Sequence, residues 1–137
     1  MTQNKLSFVI PCYNSSQTIE NVVNNIFTVM SDKQYDFEIV LINDCSTDNL
    51  WAVIFSLAQE YSNITAINLS KNFGQHAALM AGFSYTIGSI IVCLDDDGQT
   101  SPSQVFTLVD KLNEGYDAVF AAYSEKSMIL LEILAVI

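Results

Sequence analysis

The sequence predicts an α/β protein with a mostly parallel sheet and helices on both faces. Short apolar runs alternate with segments in which apolar residues recur every three to four positions, and the connections between them are short. This alternation is typical of right-handed βαβ units, which build parallel sheets. The length of 137 residues suits one domain, and a chain of this size buries roughly two thirds of its unfolded surface.

Five apolar-rich runs predict the strands. In chain order they are residues 6–10, 37–42, 64–69, 90–94 and 117–122. Each has only five or six residues, which is usual for a strand and short for a helix. The first run is apolar at nearly every position and ends at Pro11. Near-continuous apolar runs are typical of strands that are buried on both faces of a parallel sheet.

Four segments between and after these runs predict helices. They are residues 19–30, 50–61, 75–87 and 102–115. The first has apolar residues at i, i+3, i+4, i+7, i+8 and i+11, which gives one apolar face, and Ser15 or Ser16 is a suitable N-cap. The third is rich in small residues and can pack closely against a sheet. The fourth opens on SPSQ at residues 101–104, an N-cap, a proline at the first helical position and a capping-box glutamine, and Gly115 ends it.

The charge balance excludes several partners. Fifteen acidic and five basic residues, all five of them lysines, give a net charge of −10. Nucleic acids and anionic membranes require clusters of basic residues, so neither is expected as a partner.

The start of the chain lacks the features of a signal peptide. The apolar stretch 128–137 is interrupted by Glu132 and is shorter than the ~20 residues that span a bilayer. A soluble, cytoplasmic protein is therefore expected, and three cysteines without CxxC spacing fit a reducing compartment.

Polar loops follow the first four predicted strands. In a parallel sheet the carboxyl ends of the strands meet at one edge, where ligands bind. The loops are therefore expected to form one cleft. Its candidate residues are Tyr13, Asn14, Asp44, Asp48, Lys71, Asn72, His76, Asp95, Asp96 and Asp97.

The acidic run at residues 95–97 is the sharpest feature. Three consecutive carboxylates repel one another and raise their own pKa values unless a cation is present. Asp95 and Asp97 can bring two oxygens to one Mg²⁺ or Mn²⁺ ion, with Gln99 as a third ligand and substrate phosphates completing the octahedron. The alternative is a solvated acidic turn, since short acidic turns are common.

Asp44 and Lys71 each admit two interpretations. Asp44 can serve in a turn, with Ser46 or Thr47 capping the next helix, or it can accept hydrogen bonds from a base or a ribose, and both roles can hold together. Lys71 is the only basic residue in a candidate loop, so it is the one nearby cation for a phosphate, or else it is merely solvated. His76 has no partner set that predicts nucleophilic catalysis.

Taken together, the four loops resemble family 2 glycosyltransferases with the GT-A fold. The matching strings are FVIPCYN at 8–14 (family V-I-P-x-Y-N-E), NDCSTD at 43–48 (D-D-G-S-x-D), NFGQ at 72–75 followed by AG at 81–82 (N-F-G, then A-G), and DDDGQ at 95–99 (D-x-D-x-Q). Within the family, the chain looks most like the polyprenyl-phosphate hexosyltransferases, such as dolichol-phosphate mannose synthases and bactoprenol glucosyltransferases.

The resemblance implies a Rossmann-like GT-A nucleotide-binding half over residues 1–122. It implies that Pro11, Tyr13 and Asn14 line the base and ribose pocket, that Asp44 recognises the base, and that Asp95 lies at the sugar–diphosphate. Two further candidates for the nucleotide-sugar are Asn72 and Asp96. Asp97 and Gln99 would hold the metal, Mg²⁺ or Mn²⁺.

The implied reaction transfers a hexose from a UDP- or GDP-sugar to a lipid phosphate or glycan acceptor, with inversion. The metal would stabilise the departing nucleoside diphosphate. No catalytic residue beyond the metal site is expected among these residues. Full-length relatives often work at the cytoplasmic face of a membrane.

The sequence also departs from the family pattern. Ser15 stands where glutamate is frequent, Asn43 replaces the first of two acids, and Gly98 stands where leucine is usual. The tail 123–137 is atypical, which predicts the truncated N-terminal half of a longer protein, from a frameshifted or truncated gene, with a sheet edge that self-associates. The alternatives are a non-catalytic nucleotide-sugar-binding remnant, a haloacid-dehalogenase-like phosphatase suggested by D-x-D-G, and a receiver-like domain.

Overall fold

A single six-stranded sheet forms the centre of the molecule. The computed structural model describes residues 4–33, 35–121 and 131–135. The strands are β1 Leu6–Cys12, β2 Phe37–Asn43, β3 Ile64–Asn68, β4 Ile90–Cys93, β5 Ala118–Ala121 and β6 Leu131–Ala135. Their order in the sheet is β3-β2-β1-β4-β6-β5.

Four of the six strands are parallel. Strand β1 lies between β2 and β4 and pairs in parallel with both, and β2 pairs in parallel with β3. Strand β6 is antiparallel to both β4 and β5. The predicted α/β class with a mostly parallel sheet is thereby confirmed.

Helices cover both faces of the sheet, as predicted. They are α1 Ile19–Lys33, α2 Leu50–Glu60, α3 Gln75–Phe83 and α4 Val105–Leu112, the last preceded by a turn of 3₁₀ helix, Pro102–Gln104. Successive residues of a strand point to opposite faces. Phe8 and Ile10 therefore join the larger core with α1, α2 and α4, whereas Val9 joins a smaller core under α3. No helix in the described part of the chain is long and apolar enough to cross a bilayer.

The small residues of α3 allow it to lie close to the sheet. Gly82 is buried, and a β-carbon there would lie 2.6 Å from Val9 Cγ1 and 2.7 Å from Ile42 Cδ1. Such distances are far inside van der Waals contact, so a larger residue would push the helix outward. The prediction that this helix packs closely is confirmed.

The end of α3 was predicted wrongly. The helical pattern suggested residues 75–87, but the helix ends at Phe83. Thr86 Oγ1 donates to the Phe83 carbonyl at 2.8 Å, and the Ile87 N–H donates to the buried Glu38 carboxylate at 2.6 Å. These two bonds satisfy the Phe83 carbonyl and the Ile87 N–H without a further turn of helix. Strand β4 begins three residues later, at Ile90.

The caps follow the sequence in part. Ser101 caps the 3₁₀ turn as predicted, because its side chain accepts a hydrogen bond from the Ser103 N–H. Neither Ser46 nor Thr47 caps α2. The N-cap residue is Asn49, whose side chain makes no capping hydrogen bond. The first N–H of the helix, that of Leu50, donates to Asp48 Oδ1 at 3.1 Å, and Ser46 and Thr47 bond to the loop after β1.

The last two strands are the antiparallel part of the sheet. The predicted run 117–122 forms β5, and β6 lies between it and β4. Residues 131–135 belong to the segment expected to be an atypical tail, and their backbone is part of the sheet. The predicted boundary at 122 and the rest of that tail lie outside the described residues.

Candidate functional site

A cavity opens at the carboxyl ends of the parallel strands, where the sequence predicted a cleft. Its volume is about 440 Å³. All four predicted loops contribute to its lining, which consists of Pro11, Cys12, Tyr13, Asp44, Asn72, Gly74, Gln75, Asp95, Asp96 and Asp97. The prediction that the loops meet at one edge is confirmed.

Asn14 joins the loops after β1 and β2. Its φ of 51° lies in the left-handed region, which asparagine tolerates better than most residues. Its side-chain oxygen accepts hydrogen bonds from the Thr47 N–H at 2.8 Å and the Thr47 hydroxyl at 3.1 Å, and its own N–H donates to Ser46 Oγ at 3.0 Å. Asn14 is thus directed at the neighbouring loop, and it is not among the residues that line the cavity.

Asp44 joins the loop after β2 to the loop before α3. The residue is 5% exposed, and its two carboxylate oxygens accept from the N–H groups of Phe73 at 2.8 Å and Gly74 at 3.0 Å. Gly74 has a φ of +93°, a conformation that other residues rarely adopt. Asp44 therefore lies at the cavity wall and also fixes the backbone of that wall.

The three consecutive acids have different surroundings. Asp96 Oδ2 accepts from the Tyr13 N–H at 2.9 Å, and Asp97 Oδ1 accepts from the Gln99 N–H at 3.0 Å. Asp95 is half-buried. Its burial, together with the negative charges of Asp97 and Asp96, raises the pKa of this carboxyl. The predicted mutual repulsion in this run is thus present for Asp95.

The donor set suits a hard divalent cation that also binds the ligand. Carboxylate oxygens are the ligands that Mg²⁺ and Mn²⁺ prefer, and a cation would relieve the repulsion that Asp95 experiences. Within the described residues, no three His, Cys, Asp or Glu side chains converge to hold an ion by themselves. Ligand phosphates would therefore have to complete the coordination.

Seven of the predicted site residues line the cavity. They are Pro11, Tyr13, Asp44, Asn72, Asp95, Asp96 and Asp97. Lys71 is exposed beside the cavity and is not part of its lining, and His76 is likewise exposed outside it. Gln99 lines a separate depression with Asn25 and Thr28. The candidate metal ligands of the sequence are thus divided between two surfaces.

Three lining residues were missed as site residues. They are Cys12, Gly74 and Gln75. Gln75 is a polar residue at the first position of α3, directly after a strand-end loop, and this placement was a usable signal. Cys12 is buried within β1 and apolar in character, so nothing in its local sequence separates it from a core residue.

The lining of the cavity has a strongly unbalanced charge. Four carboxylates contribute to it, from Asp44 and the acidic run 95–97, and none of the lining residues is a lysine. Because like charges repel, this lining disfavours binding of another anion. A phosphate-bearing ligand would therefore need a divalent cation to enter.

The fold and cavity define a Rossmann-like α/β protein with an acidic ligand cleft at the carboxyl edge of a parallel sheet. The sequence matches glycosyl transferase family 2 over residues 7–132, which is most of the chain. The protein belongs to this family. That membership decides against the phosphatase and receiver-domain alternatives.

Solved structures support the GT-A fold. A mannosyltransferase from Pyrobaculum calidifontis, in complex with GDP-Man and Mn²⁺, superposes with a TM-score of 0.75 at 16% identity, over 98% of this chain and 45% of that one. TarS 1-349 from S. aureus, in complex with UDP-GlcNAc, gives 0.68 at 18% identity, over 91% and 37%. Mannosyl-3-phosphoglycerate synthase from Rubrobacter xylanophilus gives 0.66 at 19% identity, over 87% and 40%. The chain spans less than half the length of these proteins.

Proposed function

We propose that the cleft binds a UDP- or GDP-sugar together with Mg²⁺ or Mn²⁺, and that the protein takes part in transfer of the hexose to an acceptor. The observation that carries this proposal is the acidic, lysine-free lining described above. A nucleoside diphosphate is an anion, so a cation must accompany it into such a cleft. Family membership and the solved structures with nucleotide-sugars agree with this assignment.

The lining residues divide into two regions in this proposal. Pro11 and Tyr13 line the cavity and would contact the base and its ribose. Asn72 would offer an amide to the donor, and Asp95 and Asp96 would contact the sugar–diphosphate. Asp97 would be the principal metal ligand. Gln99 would join it only if its side chain turned from the depression that it now lines.

The proposed reaction is an inverting displacement. An acceptor oxygen forms a bond to the anomeric carbon while the bond from that carbon to the diphosphate oxygen breaks, and the nucleoside diphosphate leaves. A bound cation supplies electrostatic stabilisation of the leaving group. For a lipid phosphate such as polyprenyl phosphate the attacking oxygen is already ionised, so no proton has to be removed. We propose this acceptor class, with a glycan hydroxyl as the alternative.

A second candidate function is binding of the nucleotide-sugar without transfer. The observation that favours it is the lining of the cleft, in which every residue with a proposed role would contact the donor or the metal and none the acceptor. The test is transfer of labelled sugar from UDP-glucose and GDP-mannose to polyprenyl phosphate with Mn²⁺ present. Labelled lipid supports the first function. Saturable donor binding, with no labelled sugar transferred to polyprenyl phosphate or to a glycan acceptor, supports the second.

A further inference from the structure

A buried polar network lies at the amino end of the parallel strands, opposite the cleft. Ser7 of β1 and Glu38 of β2 are register partners and are 0% and 6% exposed. The Ser7 hydroxyl donates to Glu38 Oε1 at 2.6 Å, and the same oxygen accepts from the Ile87 N–H at 2.6 Å. Ser7 Oγ in turn accepts from the Gly88 N–H at 2.8 Å. Two consecutive N–H groups of the chain that enters β4 are thus bound to β1 and β2.

Gly88 packs directly against this network. A β-carbon at this position would overlap Ser7 Oγ and would lie 2.7 Å from the Lys5 carbonyl oxygen. That carbonyl accepts from the next two N–H groups, those of Ser89 at 3.0 Å and Ile90 at 3.3 Å. Because closely packed backbone atoms have no free space to move into, a side chain at position 88 would push the entry of β4 away from β1.

The sequence of β4 does not specify its alignment with β1. Residues 90–94 are all apolar, and they alternate between the larger and the smaller core. A hydrophobic pattern fixes the register of a strand when one face is buried and the other is polar. A shifted β4 would still place apolar residues on both faces, so groups outside the strand must set its register.

The register of β4 determines where the acidic run 95–97 lies, because the run begins two residues after β4 ends at Cys93. A parallel strand advances about 3.3 Å per residue, so a shift by two residues would displace the run by about 7 Å. At the carboxyl end, the bond from the Tyr13 N–H to Asp96 opposes such a shift. At the amino end, the network of Ser7 and Glu38 holds the chain that enters β4.

We propose that Ser7 and Glu38 are positioning residues of the donor cleft, which set the register of β4 on β1 and thereby the location of the acidic run. This inference rests on the proposed nucleotide binding. Both bonds described for the Glu38 carboxylate end on one oxygen, so the network requires an acceptor oxygen at this point. Glutamine would supply that oxygen, whereas methionine, which is also unbranched, would not.

The test compares Glu38→Met with the conservative variant Glu38→Gln. NMR without nucleotide follows the nuclear Overhauser effects between Val9 and Cys93, which are register partners in β1 and β4. It also follows exchange of the Leu94 amide proton, whose N–H donates to the Val9 carbonyl at 3.1 Å. Calorimetry measures UDP and GDP binding with Mn²⁺. Ile54→Val, at a buried position of α2, controls for a general loss of stability.

We expect Glu38→Met to lose the Val9–Cys93 effects and to exchange the Leu94 amide proton faster. Both nucleotides should bind it roughly tenfold more weakly, as is usual when a group that orients metal ligands from outside the coordination shell is removed. Glu38→Gln and Ile54→Val should match the parent protein in all three measurements. A network that served stability alone would leave the affinities of the folded variants unchanged.

Three results would overturn the positioning role: a parent-like register in Glu38→Met, an altered register with unchanged nucleotide affinity, or an equal loss in Glu38→Gln. If the parent protein bound neither nucleotide, the proposed function would fail, while the NMR measurements would still test whether the network sets the register. Should Glu38→Met fail to fold, Gly88→Ala, which displaces the same chain segment, takes its place. An unchanged register and affinity in that variant would count against the proposal.

Discussion

The Tyr13 N–H donates to Oδ2 of Asp96 at 2.9 Å and so joins two loops that are 83 residues apart in the chain. The carbonyl oxygen of Asp96 also accepts from the Thr18 hydroxyl at 2.6 Å. One residue of the acidic run thus fixes the loop after β1 and the approach to α1. Asp96 therefore has a structural role. Among the hydrogen bonds of the described residues, neither Asp95 nor Asp97 makes such a bond to the loop after β1.

Asp96→Ala should lower the free energy of unfolding by about 1 kcal/mol. The lost bond joins a backbone donor to a charged acceptor, which contributes about 1.5–3 kcal/mol when buried, and partial exposure reduces that value. Removing one acid also relieves repulsion in a chain of net charge −10. Asp110→Ala, an exposed acid on α4, controls for this charge effect. Urea denaturation compares the two, and equal stability in both variants would show that the Tyr13–Asp96 bond contributes nothing.

Cys45 has a left-handed backbone conformation, with a φ of 55°, at the position where the family pattern D-D-G-S has glycine. A non-glycine residue in this conformation costs about 1–2 kcal/mol of folding free energy. Glycine would remove that cost, but part of the stabilisation is lost because glycine makes the unfolded chain more flexible. Cys45→Gly should therefore stabilise the fold by about 0.5–1 kcal/mol. Thermal unfolding of the variant and the parent measures the difference.

Asn14→Gly is the matched comparison for Cys45→Gly, because Asn14 also has a positive φ. Its side-chain oxygen accepts from the Thr47 N–H, the Thr47 hydroxyl and, at 3.4 Å, the Asp48 N–H, and glycine would lose all three bonds. This variant should be destabilised by about 1–2 kcal/mol. If both glycine variants changed the melting temperature in the same direction, relief of backbone strain would not explain the effect of Cys45→Gly.

The cysteines should differ in reactivity. Burial raises the pKa of the Cys12 thiol well above its usual range, and the charge of Asp96 raises it further. Because a raised pKa keeps a thiol protonated as the pH rises, Cys12 should not form the reactive thiolate at neutral pH. Cys45 is exposed. Iodoacetamide at pH 7.5 should alkylate Cys45 and leave Cys12 unmodified until denaturant is added, as read by mass spectrometry of the peptides. Similar native rates at the two sites would refute this.

Self-association through the sheet edge remains a prediction, and a substitution on β5 tests it most directly. This strand is at one end of the strand order, and Phe120 on it is 54% exposed. Exposed edges pair with other chains, and lysine on an edge opposes such pairing. Phe120→Lys should therefore lower light scattering at micromolar concentration. Phe55→Lys, at a similarly exposed phenylalanine of α2, should not. An equal decrease in both would indicate general apolar adhesion instead of edge pairing.

The sequence was sufficient to predict the first four strands and the edge at which the cleft forms. Strands β1, β2, β3 and β4 begin at the predicted residues 6, 37, 64 and 90, because buried strands in a parallel sheet leave a nearly continuous apolar signal. Once the strands are parallel, the location of the loops follows from topology. Most cleft residues were found in this way, Asp44 and the acidic run among them.

Long-range hydrogen bonds explain most of what the sequence did not predict. The end of α3 depends on Glu38, which is 49 residues from its partner Ile87, and the direction of Asn14 depends on Thr47, 33 residues away. Local patterns carry no information on such pairs. The position of β6 between β4 and β5 also requires pairing between distant segments, which periodicity does not specify.

We propose that the acidic cleft binds a nucleoside diphosphate through a divalent cation. The most direct test of this binding is calorimetric titration of UDP and GDP into the parent protein, Asp97→Asn and the charge-matched control Asp110→Asn, each with Mn²⁺ and with EDTA. We predict saturable binding of at least one nucleotide with Mn²⁺, at least about tenfold weaker binding in EDTA, equivalent to ~1.4 kcal/mol, and a similar loss with Mn²⁺ in Asp97→Asn only. Equal affinity with Mn²⁺ and EDTA, or no binding by the parent protein, would contradict the claim.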